Sequence, residues 1–231
     1  MRKQTVMCYS ILGDRIMTQT KAFIPEKFFP SFEALESDIQ QRLIKSGLSA
    51  NDYRTPIAIL YLAWAGFDKV SISKLQKDHL PPIGNVIYDP DFNYTRNIHP
   101  SAMVFLRKYS DAPVFMSHRG ISPYLVRNRY SMQLTDGAVI NSVAYFNRLL
   151  NDNKPNYSFV SIRDSGSFCR AFQMQQSGVE FPVYRRHKRL TQLGIQKYEM
   201  IFGREFSSVE AVTRHISLYE IFVEYFYNIK L

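Results

Sequence analysis

Residues 52–80, DYRTPIAILYLAWAGFDKVSISKLQKDHL, govern how the rest of the chain is read. They read as a buried helix, a short loop and a second helix. Thr55 can cap the first helix, and Pro56 suits its first turn, where an amide hydrogen is not needed and φ is already helical. Ile57, Leu60, Tyr61 and Trp64 recur at three and four residues, while Ile59, Leu62 and Ala63 make the other side apolar too. A helix apolar nearly all round is predicted to be buried. Gly66 can end it in the left-handed conformation that other residues avoid. Ser71 can restart a helix whose inner face is Ile72 and Leu75, and Pro81 and Pro82 close the unit.

Upstream, Ser31 is expected to cap an amphipathic helix with Phe32, Leu35, Ile39 and Leu43 on one face and Gly47 at its end. Residues 1–30, closed by Pro25 and Pro30, read as an arm or linker, and residues 31–231 as one domain. Downstream the period changes to two. Residues 85–88 and 94–99 are expected to pair as antiparallel strands around the turn residues Asp89, Pro90, Asp91 and Asn93. A helix from Pro100 or Ser101 has Met103, Val104 and Leu106 available for packing; a third short strand at 114–117 and a basic loop at 119–129 follow. Thr135 and Asp136 announce a helix with Val139, Val143, Phe146 and Leu150 facing inward. The last helix begins at Ser207, three residues before Glu210, and runs through Val209, Val212, Ile216, Tyr219, Val223 and Phe226. The fold class is therefore mainly α with a small antiparallel β-sheet (α+β).

Composition narrows the partners. The formal charge is +9, from 29 basic and 20 acidic residues, which favours a polyanion because each phosphate neutralised by Lys or Arg releases counterions. Between Phe92 and Thr135 the only acid is Asp111, against Arg96, Arg107, Lys108, Arg119, Arg127 and Arg129. A second stretch, residues 181–198, is acid-free and holds Arg185, Arg186, Lys188, Arg189 and Lys197. The bland alternative is a pair of solvated basic faces. No apolar run reaches the roughly 18 residues that span a bilayer, and no signal-peptide pattern opens the chain, so no membrane partner and a cytoplasmic location are expected. Cys8 and Cys169 are too few for a disulfide framework or a zinc site, and the histidines at 79, 99, 118, 187 and 215 are scattered. No Walker loop, GxGxxG, HExxH or CxxC pair is present, so neither a metal nor a cofactor is expected.

The buried helix followed by AGFDKVSISKLQKDHL resembles the first conserved box of the tyrosine recombinase (phage integrase) catalytic domain. Gly66, Phe67, Leu75 and Asp78 to Leu80 follow that box, while its catalytic arginine position holds Asp68 and its glutamate position Ser71. The hairpin leading through TRNIHP into a proline-started helix is similar to the family's hairpin, which carries a catalytic lysine; this turn has none. The stretch YSFVSIRDSGSFCRAF resembles the second box, with Val160 at the first histidine, Arg163 at the arginine and Asp164 at the last histidine. Phe202, Gly203 and Arg204 can stand for the third box, as can Leu193, Gly194 and Ile195. Tyr219 is the nearest tyrosine to the nucleophile position, although it falls on an apolar stripe.

Strand cleavage by a tyrosine needs cations around the scissile phosphate and a general acid for the leaving oxygen. Losing one such donor commonly costs roughly 100-fold to 1000-fold in rate, and several are missing here together. The resemblance therefore implies a catalytically inactive, integrase-like DNA-binding protein with no catalytic residues. A phage transcriptional regulator is the expected role, such as the integrase-like lysogeny repressors of SP-beta-type phages. Its partner would be double-stranded DNA in the host cytoplasm. Phosphate and sugar contacts are expected from Arg96, Arg119, Arg127, Arg129, Arg163, Arg185, Arg186, Lys188, Arg189 and Arg204. Integrases clamp DNA with a separate core-binding domain, for which residues 1–30 are too few, so the chain is expected to be a fragment or a homo-oligomer. A functioning recombinase with displaced catalytic residues and a protein-interaction module are the alternatives.

Overall fold

A computed structural model of the chain describes residues 23–111, 122–128, 130, 132–150, 152–181 and 190–230. Ser31 accepts the amide of Ala34 at 3.2 Å and starts α1 (Phe32–Lys45), which buries Phe32, Leu35, Ile39 and Leu43. Gly47 follows its end at φ +63°, as the spacing predicts. The apolar run forms α2 (Arg54–Trp64), and all nine residues from Pro56 to Trp64 are buried. The helix begins two residues earlier than expected, with Tyr53 at the cap position, so Thr55 is not its cap. The Thr55 hydroxyl instead lies 2.9 Å from the Tyr109 hydroxyl and donates to the carbonyl of Arg127. At the other end Gly66 N–H reaches Ala63 O at 2.8 Å and Phe67 N–H reaches Leu62 O at 3.1 Å. That double closure requires the positive φ, +103°, that Gly66 adopts.

The second helix, α3 (Lys69–Lys74), is capped by Asp68, whose Oδ1 accepts the Ser71 amide at 2.8 Å. Ser71, the expected cap, is instead a buried residue of the first turn; a carboxylate at the helix start satisfies an orphan amide and also meets the positive end of the helix dipole. Strands β1 (Val86–Asp89) and β2 (Tyr94–Asn97) pair antiparallel with Ile87 opposite Arg96, and Asn93 closes the turn at φ +52°. In α4 (Pro100–Asp111) Met103 and Leu106 are buried, but Val104, expected to pack, is 50% exposed. It lies about 100° round the helix from Met103 and off the buried stripe. The strand expected at 114–117 lies outside the described residues. Residues 122–128 run beside the end of α3, with Leu125 N–H on Leu75 O and Lys77 N–H on Pro123 O, both at 2.8 Å.

Thr135 accepts the amide of Ala138 to open α5 (Asp136–Leu150), which buries Val139, Val143, Phe146 and Leu150. There follow α6 (Phe159–Gln176), α7 (Gln192–Phe202) and α8 (Val209–Tyr227). Ser208, not Ser207, caps α8 through the Ala211 amide. Among the described residues the chain is thus mainly helical with one two-stranded antiparallel sheet, an α+β arrangement, and no helix is long and apolar enough to cross a membrane.

The described residues fall into two compact units. One lies within Lys27–Cys169; the other comprises residues from Arg170 onward together with 23–26. In the first, α2 is surrounded: Phe32 of α1 and Phe105 of α4 meet Tyr61 edge-on, with ring centroids 5.0 and 5.2 Å away. Helix α6 meets it backbone to backbone. A Cβ built on Gly166 would lie 1.9 Å from the Trp64 carbonyl oxygen, so the two backbones touch. Cys169, one turn on, is buried and donates its thiol to Pro30 O at 3.1 Å.

Replacing glycine by alanine within a helix ordinarily stabilises by about 0.5–1 kcal/mol. Gly166→Ala is expected to do the reverse and lose about 3 kcal/mol, because the methyl group must displace backbone. Urea unfolding monitored by Trp64 fluorescence measures the difference.

Candidate nucleic-acid interface

Two of the arginines expected on phosphates are inside the protein. Arg96 is 5% exposed, and its Nε donates to Oδ2 of the fully buried Asp89 at 2.6 Å. Phe67, Phe92 and Tyr94 surround the guanidinium at 4.5 to 5.5 Å from their ring centroids. It fixes the inner face of the hairpin, and no phosphate can reach it. Arg127, 4% exposed, donates to the carbonyls of Tyr109 and Ser110 at 3.3 Å. Those carbonyls belong to the last turn of α4, where no intrahelical amide remains for them. A cation there also meets the negative end of the helix dipole. Arg127 is therefore the C-terminal cap of α4 and the anchor of residues 122–128.

The same use recurs at other arginines. Arg107 donates to Pro81 O and Gly84 O, holding the loop that enters the hairpin. Arg42, 2% exposed, bonds Asp152 through Nε at 2.7 Å and Nη2 at 2.8 Å and stacks 4.3 Å from the Tyr157 ring centroid. Asp38 completes this cluster by accepting from the Tyr157 hydroxyl and from Lys154. Burial, reinforced by Asp38, pushes the Tyr157 phenol far above its usual range, so it stays a hydrogen-bond donor at any ordinary pH.

Of the remaining expected residues, Arg163 is half-buried on α6, one turn before Gly166. Arg204 is half-buried with its guanidinium 5.1 Å from the Phe206 ring centroid, just after Gly203 ends α7 at φ +63°. Leu193, Gly194 and Ile195, the other candidate for the third box, lie within the first turn of α7. Arg119, Arg129, Arg185, Arg186, Lys188 and Arg189 lie outside the described residues.

A surface that the charge pattern alone did not single out is the outward face of α5. Ile140, Asn141, Ala144, Tyr145 and Arg148 are all exposed there, and none is acidic. Arg148 lies 5.8 Å from the Tyr145 ring centroid, close enough for the ring to support the cation. The acids beside this helix are engaged elsewhere, Asp136 with the Ser73 hydroxyl and Asp152 with Arg42. The signal was present in the sequence as the complement of the buried stripe: four apolar residues fixed the inward face, and the positions opposite carry no carboxylate. A cation, an amide and an aromatic ring on one helix suit phosphate contact, base-edge hydrogen bonding and sugar packing in turn. Lys77, in the same unit, is partly buried; that burial and the nearby Arg127 hold its ammonium below the usual lysine range. An anion beside it would oppose both effects by favouring the charged form.

The positions aligned with recombinase chemistry have other occupations. Asp68 caps α3, Asp164 is buried, and Val160 is 48% exposed. Tyr219 is 1% exposed and donates its hydroxyl to Gln175 Oε1 at 2.8 Å, amid Phe181 and Phe202. Among the described residues no cluster of His, Cys, Asp and Glu could hold a metal ion. The chain matches no protein-family model and no curated protein.

Truncating one member of a buried ion pair strands the other charge, so Arg96→Ala is expected to cost about 3–5 kcal/mol. The double replacement Arg96→Met with Asp89→Leu is expected to return most of that loss in chemical denaturation, which a phosphate-binding Arg96 would not predict.

Proposed function

We propose that this protein is a DNA-binding regulator without catalysis, related in design to tyrosine recombinases and acting on double-stranded DNA in the cytoplasm of a phage host, most naturally as a lysogeny repressor. The observation that carries this reading is the outward face of α5, where Asn141, Tyr145 and Arg148 stand together without an acid in a chain of net charge +9. Affinity would come from Arg148, from Arg163 and from the basic stretches that flank residues 122–128 and precede α7. Discrimination would come from Asn141, whose amide can donate and accept at once on an adenine edge.

Absence of catalysis is supported by what occupies the reacting positions. A transition state with charge growing on phosphate oxygens needs donors already aimed at it. A carboxylate at position 68 would repel those oxygens, and it is held in place by the Ser71 amide. A nucleophilic tyrosine must reach phosphorus, whereas the Tyr219 hydroxyl is buried and engaged by Gln175.

Selection from a random duplex library at two salt concentrations tests the reading, with half of each sample denatured. The expected result is a small set of related sequences that dissociate on denaturation, with affinity falling steeply with salt. Arg148→Ala is expected to lower the slope of log affinity against log salt by about one. DNA that stays covalently attached after denaturation, and is lost in Tyr219→Phe, would establish a recombinase instead. Binding without any sequence preference would remove the regulator.

A further inference from the structure

We propose that the outward face of α7 is a second DNA-reading surface, a helix that lies in the major groove and contacts base edges. This rests on the DNA-binding reading above but concerns different residues, in the other compact unit.

Helix α7 divides cleanly. Gly194, Tyr198, Ile201 and Phe202 are buried, with Phe202 packed edge-on against His215 and Tyr219 at 4.7 and 5.6 Å between centroids. Gln192, Leu193, Gln196, Lys197 and Met200 are exposed. At about 100° per residue these five occupy one continuous stripe roughly 140° wide. Leu193 and Met200 are among the most exposed apolar side chains of the described chain, at 64% and 71%. The one acid of the helix, Glu199, is half-exposed at the Gln192 edge of the stripe, and its Oε1 accepts the Phe206 amide at 3.0 Å and so fastens the turn that follows. Helix α8, in the same unit, presents Glu210, Glu220 and Glu224 outward and would be repelled by phosphates.

The chemistry of the stripe selects nucleic acid over protein. Two exposed apolar residues alone would suit any apolar partner, but here glutamine amides and an ammonium stand between them. A glutamine amide can form the paired hydrogen bonds that adenine offers through N7 and N6, a lysine reaches guanine O6 and N7 or a phosphate, and Leu or Met side chains cover the thymine methyl. Eleven residues make a helix of about 16 Å, and the major groove, about 12 Å wide, admits one. Thr191, accepting the Gly194 amide at 3.1 Å, and Gly203, at φ +63°, define both ends, so the stripe is presented at a fixed length.

The test uses the full chain and the same random duplex selection, comparing wild type with Gln192→Ala combined with Gln196→Ala. Both side chains are exposed, and circular dichroism checks that the fold is kept. The expected outcome is retained salt-dependent binding to random DNA, together with a loss of preference of about 10-fold or more at adenine positions that Asn141→Ala leaves unaffected. If the double variant selects the same sequences with the same preference as wild type, the α7 inference falls while the regulator stands. If wild type retains no DNA even at low salt, both fall. A second variant, Leu193→Glu with Met200→Glu, places acid in the stripe and is expected to abolish site selection. Should it leave selection intact while converting a dimer in solution to a monomer, the face belongs to a second copy of this chain and the proposal is overturned.

Discussion

Helix α2 has no outward side, and this constrains every element of its unit. A segment buried on all faces cannot be positioned by contrast between an oily and a wet surface, so its neighbours must fix it by shape and by hydrogen bonds. One such contact is backbone to backbone, α6 at Gly166 against the Trp64 carbonyl. There only the absence of a side chain allows the approach. The helix carrying Arg163 therefore has its height and rotation fixed at the point where α2 ends, and Gly66 must turn the chain away at once with a positive φ.

The second constraint is electrostatic. A buried guanidinium is costly unless every donor finds an acceptor. Arg42, Arg96 and Arg127 find their acceptors in three different ways: a paired carboxylate with a tyrosine ring, a carboxylate within an aromatic box, and the free carbonyls at the end of a helix. Each ties one segment to another: α1 to the loop before α6, one hairpin strand to the next, and residues 122–128 to α4. Such pairs add little net stability over an apolar replacement, but they define one arrangement, because any shift strands a charge.

This explains what could and could not be read from the sequence. Buried stripes were legible, since Val139, Val143, Phe146 and Leu150 or Phe32, Leu35, Ile39 and Leu43 can face only one way in a helix. Hairpin and cap chemistry were legible to within a residue or three: Ser31 and Gly47 stand where expected, whereas Ser207 and Ser71 yield to Ser208 and Asp68. Adjacent hydroxyls and carboxylates compete for the same orphan amide, and the chain entering the helix decides among them. The arginines were not legible. Composition counts a charge without stating which acceptor it meets, and the partners of Arg96 and Arg127 include a residue seven positions back and main-chain carbonyls of Tyr109, Ser110 and Leu125. Main-chain carbonyls have no sequence signature at all.

Under the proposed function, subtracting the interior arginines changes the kind of DNA binding that the charge would support. Phosphate contacts set affinity without distinguishing sequences, and each one removed weakens binding to every site alike. A protein that keeps several guanidiniums for its own helices and hairpin therefore has a lower sequence-independent background than its net charge suggests. Specificity is the ratio of site binding to that background. Outward amides such as Asn141 on α5, or Gln192 and Gln196 on α7, count for more in that ratio when the background is low. The proposed regulator would need only to occupy one site in preference to others, and interior cations with neutral side chains outside suit that task.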